Sequence, residues 1–342
     1  MNIADKTLPL PKELHQGSSL KGTIGCLYAM AAWLVPSFII GYVWSGALSL
    51  PLASTILITL AMGVVGGYGI LLTGFMGHDG THFSLHPNKV VSSVLGIIVT
   101  ASVPFYLLMG FTISHWNHHK FTNTVKDPDS ELFGKFNSWW SRAILARPYS
   151  FIVFAETTFR LAFDIPLSQP YTFPLEKKTI RNLARFNIIT NVVTFTLLFY
   201  VLYAFPVYGC GVLVVYAFGS VISGLNPYVE HDGTGLGRGH DTRTSVGPWL
   251  DFFLMGNNYH LEHHLYPTIP FYNLKKAYRH LAKEGYYGID RHQTRGAWST
   301  YLYTSGKYPY PQYPVEELRK PAPSDISTSR TDTPTPKHHG EQ

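Results

Sequence analysis

Long stretches of the chain carry no charged side chain, and they set its expected architecture. Residues 22–78 contain no Asp, Glu, Lys or Arg, and residues 186–229 form a second such run. A helix needs about 20 apolar residues to cross the hydrocarbon core of a bilayer. A loop around Pro51 divides the first run and a Pro/Gly turn divides the second, so the pattern predicts four membrane spans. Their expected bounds are 24–44, 53–75, 188–204 and 209–225.

A third apolar run, residues 90–113, is also long enough to cross a membrane. A single crossing there would place His78 and His115 on opposite faces. We therefore expect a membrane-embedded hairpin or interfacial segment that returns to the same side, with Pro104 and Gly110 allowing the bend. The predicted fold class is an all-α integral membrane protein with four transmembrane helices, this hairpin or interfacial segment, and a cytosolic helical cap.

Composition supports a membrane protein and excludes other classes. Hydrophobic residues make up 46% of the chain and charged residues only 14%, whereas about a quarter of an ordinary soluble domain is charged. The net charge is +6, but no nucleic-acid-binding motif accompanies it, so we expect no nucleic-acid partner. The two cysteines lie in apolar runs and offer neither a disulfide framework nor a CxxC metal site.

The distribution of basic residues predicts the orientation in the membrane. Lys and Arg are frequent between residues 120 and 185 and absent from both predicted outer loops. The positive-inside rule then places both termini and the segment 120–185 in the cytosol. We expect a polar N-terminal segment 1–21, one membrane domain 22–318 and a disordered tail 319–342. The membrane would be the plasma membrane of a bacterium or the endoplasmic reticulum of a eukaryote.

Three clusters of histidine lie on the predicted cytosolic side. They are "HDGTH", "HWNHH" and "HLEHH", which contain His78, His82, His115, His118, His119, His260, His263 and His264. Helical positions i, i+3 and i+4 share a face, so each cluster is expected to present its imidazoles as one convergent set. Eight imidazoles exceed the four ligands of a tetrahedral zinc, whereas two octahedral irons need about eight to twelve donors. The count favours a di-iron centre.

Two alternatives to the di-iron centre remain open. A zinc-dependent membrane hydrolase would require an HExxH-like motif, which "HDGTH" approximates only through Asp79. The histidines could also be polar residues at the membrane interface. His86 is expected to have no role, because Pro87 indicates that the helix carrying the first cluster ends there. Five further histidines are predicted to be surface residues: His15, His280, His292, His338 and His339.

The motifs "GHDGTH", "HWNHHKFTNTVKDPD" and "NNYHLEHHLYPTIPFYNL" resemble the three histidine boxes of the integral-membrane fatty-acid desaturases and related di-iron hydroxylases. The resemblance extends from about the first predicted span to Leu274. It implies four spans and a cytosolic cap in which histidines hold two irons that activate dioxygen and oxidise an unactivated C–H bond. It also implies a ninth ligand, His231 in "NPYVEHDG", and gives Asn226 a possible water-mediated contact with one iron.

Carboxylates within or beside the boxes are expected to orient the ligand imidazoles by accepting their other N–H. Helix capping or surface solvation is the alternative for each of them. These residues are Asp79, Asp127, Asp129, Glu230 and Glu262.

The resemblance implies an enzyme that introduces a double bond into an acyl chain of a lipid. Histidine boxes do not decide between desaturation and oxygen insertion, so a hydroxylase or ketolase acting on a carotenoid or a smaller metabolite remains the alternative. The chain has no haem-binding domain with an "HPGG" motif. Electrons are therefore expected from a separate donor, a ferredoxin or a small b-type cytochrome with its reductase.

Overall fold

A computed structural model describes residues 8–103, 106–168, 170–287, 293–294 and 303–315. The described chain is built almost entirely of helices, with a 3-10 helix at Lys12–His15 near its start. The α-helices, in chain order, are α1 (Ser19–Trp44), α2 (Leu52–Thr81), α3 (Lys89–Ala101), α4 (Leu108–Phe121), α5 (Pro128–Phe133), α6 (Trp139–Ala162), α7 (Lys177–Ala204), α8 (Pro206–His231), α9 (Pro248–Phe253), α10 (His260–Leu265) and α11 (Phe271–Lys283).

The four predicted spans are confirmed, because α1, α2, α7 and α8 are long and apolar enough to cross a membrane. Their bounds differ from those predicted. Helices α2 and α8 continue past the apolar stretch as far as Thr81 and His231, since the polar residues there pack against other helices of the protein instead of lipid. Helix α8 also begins earlier than expected, at Pro206, because proline is well suited to the first turn of a helix.

The apolar run 90–113 forms α3 and the first part of α4, and its return to the same side of the membrane as a hairpin or interfacial segment stays a prediction. Each of the two helices is about 20 Å long at 1.5 Å per residue, which is shorter than the hydrocarbon core of a bilayer. The prediction that Gly110 lies in the bend is wrong. Gly110 lies inside α4, where a Cβ atom would overlap the carbonyl of Phe154 in α6. Pro104 lies outside the described residues.

Helix α2 packs against both α1 and α8, which also contact each other, and small residues allow the close approach. A Cβ atom on Gly69 would overlap the backbone of Ala32 in α1. A Cβ atom on Gly67 would lie 2.8 Å from the backbone of Gly219 in α8. Small residues at such contacts let membrane helices pack with their backbones close together. The helix that carries the first histidine cluster therefore packs closely against two other spans.

The outer faces of the spans are apolar and exposed. Leu57 in α2 is 69% exposed, and Phe199 in α7 is 66% exposed. Exposed side chains of this kind suit contact with lipid tails, whereas on a water-soluble protein they would form an unusually large apolar surface.

A buried arginine joins three distant parts of the chain. Arg142 in α6 is fully buried, and its guanidinium pairs with Asp232 after α8 at 2.6 Å. The same guanidinium donates hydrogen bonds to the carbonyls of Phe136, Tyr303 and Tyr308. Because breaking a buried ion pair leaves an unpaired charge in the interior, this arrangement fixes the segment 303–315 against α6 and α8.

Strand structure is minor in the described chain. β1 (Thr244–Ser245) pairs in parallel with β2 (Gln293–Thr294), and an isolated bridge joins Thr124 to Tyr313. The tail 319–342 and three histidines predicted to lie on the surface fall outside the described residues: His292, His338 and His339.

Candidate metal centre

The structure brings all nine predicted histidines together at the ends of α2 and α8. Their ring nitrogens fall into two sets. In the first set the candidate ligand atoms lie within 4.8 Å of one another, and its members are His78, His82, His115, His119 and His263. In the second set, His118, His231 and His264 meet the same limit. His260 joins this second set, because its Nε2 lies 3.3 Å from that of His231 and 3.2 Å from that of His264.

The expectation that each cluster presents one convergent set is wrong for "HWNHH". His115 and His119 belong to the first set, with their Nε2 atoms 3.0 Å apart, whereas His118 belongs to the second. At about 100° per residue, positions i and i+4 of a helix are only about 40° apart, but position i+3 is about 100° from position i+4. Helix α4 therefore sends two imidazoles to one set and the third to the other.

The cluster "HLEHH" on α10 is divided in the opposite sense. His260 and His264, at positions i and i+4, belong to the second set. His263 belongs to the first set, where its Nε2 lies 3.0 Å from that of His119. Helices α4 and α10 thus bridge the two sets, and each set receives a pair from one helix and a single imidazole from the other.

The donor atoms fit metal ions. Two nitrogens bound to one metal at about 2.1 Å lie about 3.0–3.4 Å apart when their bonds meet at 90–110°, and the observed Nε2 separations of 3.0–3.3 Å match. Both ring nitrogens of His78 and His82 are buried, and within the described residues they have no hydrogen-bond partner. Buried polar atoms without a partner are rare in proteins unless they bind a ligand or water.

One carboxylate contacts a cluster histidine closely. Asp127 Oδ1 accepts a hydrogen bond from His118 Nδ1 at 2.9 Å. The carboxylate is itself fixed, because it also accepts from the backbone N–H groups of Asn123 and Asp129 at 2.8 and 2.9 Å. This bond occupies His118 Nδ1, so Nε2 is the ring nitrogen that faces the second set.

Two further predicted carboxylates lie slightly farther from ring nitrogens. Asp79 Oδ1 is 3.7 Å from His78 Nδ1, and the other carboxylate oxygen accepts from the backbone N–H of Phe271 at the start of α11. Asp129 Oδ2 is 3.7 Å from His118 Nδ1.

Glu230 and Asn226 form a pair on α8. The Asn226 side-chain amide donates to Glu230 Oε1 at 2.9 Å, and Glu230 Oε2 lies 3.4 Å from His260 Nε2. Glu262 is placed differently, because its carboxylate accepts from the Thr244 hydroxyl at 2.5 Å and from the Tyr287 hydroxyl.

Asp241 also contacts the histidines, although no sequence motif indicated it. Its backbone carbonyl accepts a hydrogen bond from His231 Nδ1 at 3.0 Å, and its carboxylate lies 3.7 Å from His264 Nδ1. Asp241 belongs to the loop after α8 and to no histidine cluster. Its proximity to His231 and His264 comes from the fold of that loop, so the spacing of the sequence carried no signal for it.

Burial controls the protonation of the imidazoles outside the spans. Burial, followed by repulsion from neighbouring imidazoles, holds the pKa well below the usual value in six of them: His82, His115, His119, His260, His263 and His264. Burial also acts to lower the pKa of His118, but the carboxylates of Asp127 and Asp129 outweigh it and raise that pKa to about 9. The six neutral imidazoles are in the form that binds metals.

A cavity borders both histidine sets and is enclosed by α2, α4, α6 and α8. Its wall includes five of the histidines: His78, His115, His118, His231 and His260. Aromatic side chains, among them Phe111 and Phe154, form much of the remaining wall. A molecule in this cavity would lie against the imidazoles.

Comparison with known proteins identifies the family of this chain. The profile of the family described as "Fatty acid desaturase" matches residues 51–295, which include both histidine sets. The chain is 27% identical over 235 residues to a dihydrorhizobitoxine desaturase of Bradyrhizobium elkanii. That alignment covers 64% of this chain and 66% of the relative, slightly under two thirds of its length. This chain belongs to the fatty acid desaturase family, a family of oxidoreductases.

Proposed function

We propose that the protein is a dioxygen-dependent oxidoreductase that holds two iron ions and introduces a double bond into an acyl chain of a lipid. The observation that carries the proposal is the pair of adjacent imidazole sets, bridged by α4 and α10. One iron would be held by His78, His82, His115, His119 and His263. The other would be held by His118, His231, His260 and His264. Imidazole ligands suit iron, and the desaturase family supports that choice of metal.

The metal supplies the step that no side chain can perform. Iron with dioxygen provides the oxidising power to break an alkyl C–H bond. In desaturation the substrate loses two hydrogens, and these combine with two electrons and two protons from a donor to reduce dioxygen to two waters. The protein residues bind the substrate, orient the imidazoles and exclude water.

Several carboxylates are proposed to hold the imidazoles in position. Asp127 would fix His118 through its 2.9 Å contact. Asp79 and Asp129 would act on Nδ1 of His78 and His118, each at 3.7 Å. Neighbours of this kind orient metal ligands and raise their basicity. Glu230 lies 3.4 Å from His260 Nε2, the nitrogen that faces the second set, so it would lie beside the metal instead of accepting the other N–H of that ring. Asp241 would fix His231 through its carbonyl.

Orientation and electron supply form part of the same proposal. Both termini, the segment 120–185 and the histidine sets would face the cytosol, as the basic residues indicate. Electrons would come from a separate ferredoxin, or from a small b-type cytochrome with its reductase.

Oxygen insertion into a smaller molecule is the second candidate function. Two observations favour the smaller substrate, although neither favours oxygen insertion over desaturation: polar side chains share the cavity with the histidines, and the similar protein from Bradyrhizobium elkanii is named for the desaturation of dihydrorhizobitoxine. A zinc hydrolase is less well supported, because a single tetrahedral zinc would use four of the nine imidazoles.

Metal analysis combined with product analysis tests the proposal. We expect about two irons per purified chain, because each of the two imidazole sets would hold one. Expression in a host of known lipid composition should yield lipids that lack two hydrogens, detected by mass spectrometry. Products that gain one oxygen would support the hydroxylase alternative. Stoichiometric zinc with little iron would contradict the proposed function.

A further inference from the structure

The cavity beside the histidines also contains a cation. Arg147 of α6 lines this cavity together with residues of both histidine sets. Its Nε and Nη2 donate to the hydroxyl and the carbonyl of Ser223 in α8, at 3.1 and 3.2 Å. The Tyr106 ring lies 5.5 Å from the guanidinium carbon. The side chain is therefore held in place at the cavity wall.

Arg147 differs from the other arginines of α6 in having no acidic partner. Arg142 pairs with Asp232 at 2.6 Å, and Arg160 pairs with Glu156 at 2.9 Å. Among the described residues, no carboxylate lies within 4.0 Å of the Arg147 guanidinium. Asp129 interacts with Arg147 from farther away: burial raises the pKa of Asp129, and Arg147 acts against that rise. A half-buried cation without a directly paired carboxylate is unfavourable, and a negatively charged ligand in the cavity would offset that cost.

The two acids of the cavity lie beside the imidazoles. Glu230 is 3.4 Å from His260 Nε2 and accepts a hydrogen bond from Asn226. Asp129 is 3.7 Å from His118 Nδ1. The acidic groups thus adjoin the candidate metal ligands, whereas the cation adjoins Ser223 and Tyr106. Leu71, Phe75, Phe111 and Phe154 complete the wall with apolar surface.

We propose that Arg147 binds the carboxylate of the substrate, so that the enzyme acts on a free carboxylic acid whose apolar body lies against the histidines. The inference rests on the proposed function and specifies its substrate class. An ester-linked lipid would leave Arg147 without an anion, because the ester carries no charge. A phosphate would place a second negative charge in a cavity that already contains Asp129 and Glu230. The planar guanidinium matches carboxylate and phosphate alike. Because Nε and Nη2 each donate one hydrogen bond to Ser223, the carboxylate would be bound by the remaining N–H groups of Nη1 and Nη2.

Binding of matched eight-carbon compounds to the iron-loaded, detergent-purified full chain tests the proposal. Titration calorimetry would compare octanoate with methyl octanoate, octanamide and octyl phosphate. We expect octanoate to bind at least tenfold more tightly than the ester and the amide, and more tightly than octyl phosphate. Equal binding of acid, ester and amide would overturn the proposal, and tighter binding of octyl phosphate would overturn the assignment to a carboxylate.

Variants separate binding of the carboxylate from support of the fold. Arg147→Gln should remove the preference for octanoate, and Arg147→Lys should retain part of it. Arg160→Gln on the same helix is the matched control and should bind octanoate like the wild type. Ser223→Ala removes one hydrogen bond that holds Arg147 but keeps the cation and the bond to the carbonyl, so it should weaken the preference without abolishing it. Survival of the preference in Arg147→Gln, or its loss in Arg160→Gln, would contradict the inference.

Iron content, measured on the same samples, distinguishes failure of the inference about Arg147 from failure of the proposed function. A wild-type protein that holds two irons but does not prefer the acid would contradict only the inference about Arg147. A wild-type protein without iron would contradict the proposed function itself.

Discussion

At the scale of single residues, hydrogen-bonding partners distinguish His82 from His86, although each follows another histidine by four positions. His82 is buried, and its ring nitrogens have no partner within the described residues. His86, four positions later, lies beyond the end of α2 and accepts a hydrogen bond from the backbone N–H of Asn88 at 2.9 Å. The same spacing thus gives a candidate metal ligand in one case and a loop residue in the other.

His231→Ala is the most informative single substitution, because no cluster surrounds this residue in the sequence. Removing its imidazole leaves three histidines in the second set, which is a weak donor count for iron. We expect about one iron per chain instead of two, together with loss of oxidation. Elemental analysis and product mass spectrometry of purified protein would measure both.

His86→Ala is the matched control, and it should keep both irons and normal activity. Two irons in His231→Ala with full activity would remove His231 from the metal site. Loss of iron in His86→Ala at normal expression would show that the candidate ligand set wrongly omits His86.

At the scale of helices, the hydrophobic pattern predicted the four spans but not where they end. Uncharged runs identify residues that can contact lipid. Helices α2 and α8 nevertheless continue into polar sequence, because other parts of the protein surround them there. Helical spacing likewise predicted that imidazoles of one cluster converge. It could not predict the division between two sets, which depends on how α4 and α10 face each other in the folded chain.

Gly110→Ala tests the close approach of α4 to α6. A Cβ atom at this position overlaps the carbonyl of Phe154, so α4 must shift and carry its three histidines with it. Overpacking typically costs about 1–3 kcal/mol. We expect a lower unfolding temperature together with a lower iron content.

Gly247→Ala is the control for Gly110→Ala, because a Cβ atom there meets only ordinary contacts, the nearest at 3.5 Å from the Leu250 side chain. Its unfolding temperature and iron content should match those of the wild type. If Gly110→Ala behaves in the same way, α4 does not depend on the contact with Phe154.

At the scale of the whole molecule, the ends of α2 and α8 meet, because His78 and His231 line one cavity. Both helices must therefore end on the same side of the membrane. The sequence predicted this gathering from the histidine clusters and the length of the run 90–113. It did not reveal Asp241 or the contacts of Arg142, because both depend on loops whose path no local pattern records.

Cysteine labelling of intact cells tests which side of the membrane the site faces. In a chain with Cys26→Ala and Cys210→Ala, single cysteines would be placed by Lys135→Cys in the segment between α5 and α6 and by Leu48→Cys in the loop between α1 and α2. Both positions are exposed. The positive-inside rule places the first in the cytosol and the second outside.

A membrane-impermeant maleimide should therefore label Leu48→Cys in intact cells and Lys135→Cys only after permeabilisation. The cysteine-free chain gives the background of the assay, and its iron content shows whether the site survives the two alanine substitutions. Labelling of Lys135→Cys but not Leu48→Cys in intact cells would reverse the orientation and separate the site from a cytosolic electron donor. Labelling of both would mean that residues 90–113 cross the membrane, in conflict with a shared site for His78 and His115.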